Sequence, residues 1–349
     1  MNEKALPHET IFYFFWREIM LRSLIRWTLR VATWALGAVG VAALVLLAMI
    51  ATPLVTPPEL RSVSAARGTV DMSTLPAIER FQARDGTWLG FRHYPASGPS
   101  TGRAAIVVHG SSGSSGNNIH AVSWALAQRG VESYAVDIRG HGSSGTRGDI
   151  GHVGQLEDDL ADFVTEIRKT NPAVPLTLIG HSAGGGFALR VAGSAIQNLF
   201  VRTVLLAPYL GYAAPTNQPN SGGWANADLP RILALMVLRG IGIDCCEALP
   251  VLAFAVPPNS AKALVPAYTD RLRLNFGTHR DYRTDLSAAT KPLTIYCGAD
   301  DEMMRADKYA EAVHDFPRVD VHLIEGLNHM GIVSASKAVS ALADDVATR

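Results

Sequence analysis

Apolar positions first gather in one uninterrupted stretch near the start of the chain. No charged residue occurs between Arg30 and Glu59, a run long enough to cross a ~30 Å hydrocarbon core as a helix. Pro53, Pro57 and Pro58 close it. The pattern predicts a transmembrane helix over residues 31–52, preceded by a segment (1–30) that mixes aromatics, Phe12 to Trp16, with Arg17, Arg22, Arg26 and Arg30. Because these arginines precede the span, the positive-inside rule puts the N-terminus in the cytoplasm. The rest of the chain is then expected on the extracytoplasmic side of the cell membrane, held by a single pass; Arg61 and Arg67 run against that orientation. A core helix this apolar all round is unusual in a soluble domain. A cleaved signal peptide is the other alternative, better suited by a start at Met20, but the charged leader is long and no clean Ala-x-Ala site follows. Residues 53–76, rich in Pro, Ser, Ala and Thr, read as a linker.

From residue 77 the pattern changes to short apolar runs of strand length alternating with helical spacing. Residues 78–83 and 88–94 form a predicted hairpin turning at Asp85-Gly86. Strands are expected at 104–108, 132–136, 175–179, 203–207, 293–297 and 319–323. Helices are expected at 120–129, 156–169, 185–192 and 305–314, with another after Met330. The helix at 156–169 runs from acidic to basic, which suits its dipole. This alternation implies an α/β fold with a mostly parallel sheet covered by helices on both faces. Between about 209 and 289 the rhythm stops, and the segment reads as a helical or irregular cap inserted into one domain, 77–349.

Composition narrows the function classes. Hydrophobic residues make up 48% of the 349 positions, ample for a core, and the formal net charge of zero leaves no electrostatic footprint for nucleic acid. Three cysteines occur, Cys245, Cys246 and Cys297. They show no Cys-x-x-Cys spacing, and neither a metal nor a nucleotide loop is implied.

The chemistry concentrates at strand ends. Gly180-His181-Ser182-Ala183-Gly184 lies between an apolar strand and a helix that opens on small residues, the context in which a serine sits on a sharp elbow with its hydroxyl exposed. A serine hydroxyl needs a base, and a histidine oriented by a carboxylate is the recurrent solution. The strand at 293–297 runs into Asp300-Asp301-Glu302, and that at 319–323 runs into Asn328-His329. Ser182, Asp301 and His329 thus follow the order serine, acid, histidine at successive strand ends. Asp300 and Glu302 are the other candidate acids. The oxyanion needs two backbone donors: Ala183 N–H, which follows the nucleophile, and one from His109-Gly110-Ser111, either Ser111 N–H or that of Ser112.

These segments, together with Asp137-x-Arg139-Gly140-His141-Gly142, resemble the α/β-hydrolase superfamily. The similarity is greatest to its monoacylglycerol lipase, lysophospholipase and serine aminopeptidase S33 branch, over about residues 78–346. The resemblance implies an α/β-hydrolase fold. It also implies Ser182 as nucleophile, Asp301 as acid, His329 as base, Ser111 with Ala183 as oxyanion hole, and structural roles for Arg139 and His141. No cofactor is implied. Ala183 stands where this family often has methionine or glutamine, which implies a wider pocket. The expected function is a membrane-anchored esterase or lipase acting on a small-molecule or lipid ester. A peptidase or amidase with the same triad, or a catalytically silent binding protein on this fold, are the alternatives. The cap holds only scattered acids (Asp228, Asp244, Glu247, Asp270) with which to grip a peptide amino group.

Overall fold

A computed structural model describes residues 8–66, 70–260 and 263–349. Helix α1 runs from His8 to Ile50, through the arginine-rich leader as well as the apolar stretch. The chain then leaves the helix at Thr52 and forms the short helix α2 (Arg61–Ala66), which buries Val63 and Ala66. The segment read as a linker therefore packs partly against the domain.

Strands β1 (Glu79–Gln82) and β2 (Trp88–Tyr94) pair antiparallel around a turn in which Gly86 takes a φ of 83°, a region open to glycine. There follow β3 (Ala104–Val108), α3 (Ile119–Gln128), β4 (Glu132–Val136), α4 (Gln155–Thr170) and β5 (Leu176–His181). Helix α5 (Ala183–Ala192) and β6 (Arg202–Leu206) come next. The sheet resumes after the cap with β10 (Leu293–Gly298) and β11 (Val319–Ile324), and α9 (Tyr309–Ala312) lies between them. Helices α10 (Gly331–Ser334) and α11 (Ser336–Thr348) end the chain. One eight-stranded sheet results, in the order β1-β2-β4-β3-β5-β6-β10-β11. All its pairings from β4 to β11 are parallel, while β2 pairs antiparallel with both neighbours. Every residue of β3, β5 and β6 is buried, as required of parallel strands covered on both faces. Phe163 of α4 packs against Phe81, Phe91 and Tyr134 of the outer strands.

The cap departs from the expected helical or irregular segment. It contains a three-stranded antiparallel sheet, β7 (Ala225–Ala227), β8 (Pro250–Phe254) and β9 (Ala267–Thr269), beside α6 (Leu229–Gly240). Two of these strands have three residues, too few to display alternation, and Pro250 sits at a strand start, where a missing N–H is tolerated. Helices α7 (Asp270–Asn275) and α8 (Tyr282–Ala288) return the chain to β10. The helix expected at 305–314 shortens to a single turn of 3-10 helix followed by α9.

The strand order places a functional crevice before any side chain is considered. From β3 the chain moves outward to β4 and then returns to the other side of β3 as β5. The loops leaving β3 and β5 therefore diverge, opening a gap at the carboxyl end of the sheet. The turn after β5 is very close to its neighbours: a Cβ on Gly180 would lie 2.1 Å from the Gly184 carbonyl oxygen, and one on Gly184 2.2 Å from that of His109. Gly180→Ala is expected to destabilise the protein by about 3 kcal/mol, measured as a lower urea midpoint of the detergent-solubilised chain. Gly277→Ala, where a Cβ meets nothing within 4 Å, should leave that midpoint unchanged.

Candidate active site

Ser182 occupies the turn between β5 and α5 with φ 54° and ψ −118°, a strained conformation for a residue with a side chain. Three backbone hydrogen bonds hold it. Its N–H donates to Leu206 O (2.9 Å), and its carbonyl accepts from Gly186 N–H and Tyr209 N–H (3.0 Å each). Ser182 is thus tied to the neighbouring strand, to its own helix and to the first turn of the cap. The Ala183 N–H that follows is the first of α5, with no carbonyl four residues earlier in the helix to accept it.

Asp301 and His329 meet at the ends of β10 and β11. His329 Nδ1 lies 2.8 Å from Asp301 Oδ2, and both side chains are almost wholly buried. The remaining acceptor sites of the carboxylate are also used. Oδ1 accepts from Met303 and Met304 N–H (2.8 Å each), and the Cys297 thiol lies 3.5 Å from Oδ2. Burial alone would raise the Asp301 pKa, but the nearby His329 and these hydrogen bonds bring it below the ordinary carboxylate value. An ionised carboxylate can only accept, so His329 carries its proton on Nδ1 and leaves Nε2 as a base. That Nε2 is buried and has no hydrogen-bond partner among the described residues. The Ser182 hydroxyl does not reach it in this structure, a contact that commonly tightens only with substrate bound. Of the alternative acids, Glu302 accepts the His329 backbone N–H (3.0 Å), a contact with the loop and not with the ring.

The two candidates for the second oxyanion donor are separated by a cap residue. Ser112 N–H donates to the Tyr268 hydroxyl (2.7 Å), and Ser112 Oγ donates to Val265 O (2.6 Å). Ser112 is thereby held at φ 67° with its N–H occupied. Ser111 N–H has no acceptor among the described residues. Its hydroxyl accepts from the Trp224 indole (2.8 Å). The Tyr268 hydroxyl lies 2.6 Å from His141 Nε2, and His141 Nδ1 lies 3.3 Å from Arg139 O. His141 thus acts on the oxyanion loop through Tyr268. Arg139 is buried between Asp159 and Asp85. Tyr268 and Trp224 went unrecognised in the sequence because the cap has no periodic register that assigns its aromatics to a site.

Ser182, His329, Ser111, Trp224, Met303 and Leu264 line one cleft that opens to solvent. Val63 of α2 forms part of its wall. Among the described residues no aspartate or glutamate lines it. Three of the four cap acids named above are engaged elsewhere: Asp270 with Arg239 and Arg273, Glu247 with Arg239, and Asp228 with Arg231. No cluster of three metal-ligating side chains occurs among the described residues.

The eight-stranded sheet, with a serine on the turn after β5 and a buried carboxylate–histidine pair after β10 and β11, is the arrangement of the α/β-hydrolase fold. The family model described as "Serine aminopeptidase, S33" matches residues 100–239. The monoacylglycerol lipase of Mycolicibacterium smegmatis is 27% identical over 240 residues, 66% of this chain and 83% of that protein. The rat monoglyceride lipase is 29% identical over 127 residues, 36% of this chain and 41% of that enzyme's length. A soluble variant of monoglyceride lipase from Saccharomyces cerevisiae superposes with a TM-score of 0.59 at 15% identity, covering 79% of this chain and 94% of that one. The fold is that of the α/β-hydrolases, and the likenesses in sequence are to the branch that holds the monoacylglycerol lipases and the S33 serine aminopeptidases.

Two predictions follow from the buried polar groups. Tyr268→Phe strands the Ser112 N–H and the His141 ring, and is expected to cost about 1–3 kcal/mol in urea unfolding. Burial pushes His181, beside the His329 ring, down to about 3 from its ordinary 6.5, and lowers His109 and His141 too. Unfolding lets these rings bind protons, so stability is full above pH 6.5 and is lost as pH falls from there toward 3. The urea midpoint should decline steadily across that window, and a flat profile would contradict their neutral burial.

Proposed function

We propose that the protein is a membrane-anchored serine hydrolase that cleaves carboxylic esters of lipids through an acyl-enzyme. Ser182 Oγ attacks the acyl carbonyl while His329 Nε2 takes its proton, and Asp301 steadies the resulting imidazolium. The tetrahedral oxyanion is received by Ser111 N–H and Ala183 N–H. Collapse expels the alcohol, which leaves with the proton from His329. Water then attacks the ester on Ser182, gives its proton to Nε2, and releases the acid as the serine is reprotonated. The observation that carries this reading is the orphaned, buried Nε2 of His329, held by Asp301 and facing the cleft that Ser182 lines. Neither ring nitrogen has another evident task.

An ester is favoured over a peptide with a free amino terminus by the cleft itself. Its wall includes Val63, Ile119, Leu264, Met303 and Met330 but no carboxylate among the described residues, so nothing there pairs with an ammonium group. A fatty acyl chain needs only apolar contact, and the named activities of the M. smegmatis and rat relatives accord with that. Membrane attachment is assigned to α1, in which the apolar part of Phe15–Ile50 is not buried in the protein. The arginines before the span put the N-terminus in the cytoplasm and the hydrolase domain outside it.

Hydrolysis of a monoacylglycerol should fall about 10⁴-fold in kcat for Ser182→Ala, His329→Ala and Asp301→Asn, with folding intact by circular dichroism. Full activity in a folded Ser182→Ala protein would remove the assignment. An unchanged low turnover of esters alongside cleavage of amides would move it to the peptidase alternative.

A further inference from the structure

Helix α6 of the cap presents an apolar face that the protein leaves uncovered. Leu229, Leu233, Met236 and Val237 are 55%, 52%, 42% and 50% exposed, and Ile241 and Ile243 just beyond are 65% and 45% exposed. Spacings of four, three and one residue place the first four on one side of a helix. Across residues 229–243 the only charged side chains are Arg231 and Arg239, and both are engaged by the protein. Arg239 pairs with Glu247 and Asp270; Arg231 is buried. A soluble domain rarely shows so continuous an apolar patch without a partner.

The partner is indicated by what α6 packs against. Its neighbour is the end of α1, whose Leu46, Met49 and Ile50 are half-buried there while Leu44, Val45 and Leu47 remain exposed. The junction is a polar clamp. Arg231 Nε donates to Ile50 O (2.8 Å) and its Nη2 to Thr52 O, so one guanidinium caps the carbonyl end of α1. The Thr52 hydroxyl donates to the Asp228 carboxylate (2.7 Å), and Asp228 also accepts the Arg231 N–H at the start of α6. Asn226 adds a bond to Val55 O (2.8 Å). Four contacts therefore fix α6 and β7 to the point where the anchor ends. From Val31 to Ile50 a helix rises about 30 Å, the thickness of the hydrocarbon core. Residues 46–50 then lie in the leaflet nearest the hydrolase domain, and α6 lies beside them.

We propose that the exposed face of α6, continued by Ile241 and Ile243, is a bilayer-docking surface, held at the leaflet boundary by the Thr52–Asp228–Arg231 clamp. It rests on α1 being the membrane anchor. The occupant is phospholipid, because the face is continuous with an apolar helix and both arginines of the stretch are paired with carboxylates. Docking would set the cleft, whose wall includes Val63 from the same emerging segment, against the source of a lipid substrate.

The full chain is reconstituted in phosphatidylcholine vesicles, with exposed Cys245 and Cys246 replaced by serine. An environment-sensitive dye is attached to Leu44→Cys, Leu233→Cys, Val237→Cys or, as a control on α4, Lys169→Cys. Docking predicts that dyes at 44, 233 and 237 resist aqueous iodide and are quenched by nitroxide on the lipid chains, while the dye at 169 behaves oppositely. Protection at 44 with full iodide access at 233 and 237 would overturn the docking and leave the anchor standing. Full access at all four sites would remove the anchor and the docking with it. Arg231→Gln and Thr52→Val should each restore iodide access at 233 and 237, with position 44 still protected. Hydrolysis of a water-soluble ester by both variants reports that the domain remains folded. Unchanged protection in both folded variants would show that the clamp is not what holds α6.

Discussion

The close approach of β5 to α5 is the constraint on which the site depends. A side chain at Gly180 or Gly184 would collide with backbone on the facing segment, so the turn can reverse only with both positions bare. The reversal forces Ser182 to a φ of 54°, a strain that three backbone hydrogen bonds offset. It also leaves the Ala183 N–H free at the start of a helix, where the dipole favours an anion. The geometry of the proposed nucleophile and half of the proposed oxyanion site thus come from one steric requirement. The rest of the sheet supplies the Asp301–His329 pair from β10 and β11.

The second half of that site is governed by the cap. Trp224 holds the Ser111 hydroxyl and Tyr268 occupies the Ser112 N–H, so two cap aromatics decide which amide of the loop after β3 faces the cleft. His141 reaches the same loop through Tyr268 and through the ring of His109, and Arg139 is held by Asp159. A single hydrogen-bonded chain thereby joins the Asp-x-Arg-Gly-His segment to the oxyanion loop. Motion of the cap would be transmitted to it directly.

Much of this was legible in the sequence, for physical reasons that differ by residue. The strands of the sheet are buried on both faces, so they read as apolar runs, and the turns after 179, 297 and 323 could be found from where those runs stop. Tyr268 and Trp224 could not be found that way. They sit at or beside three-residue strands in the cap, where no alternation is long enough to assign a face. The contact that occupies the Ser112 N–H and leaves that of Ser111 as the proposed donor was hidden for the same reason, since it comes from Tyr268. The apolar stretch at 31–50 was plain, but the clamp at its end was not. Thr52 lies 176 positions from Asp228, and only folding shows that the Pro-rich segment is bolted to the cap.

The most direct measurement of the central claim is peptide-level mass spectrometry of the full chain after reaction with a fluorophosphonate or with a slowly hydrolysed ester. The account predicts a single covalent adduct, on the peptide that carries Ser182, and its loss in His329→Ala. An adduct on a different residue, or none in protein shown to be folded, would contradict it.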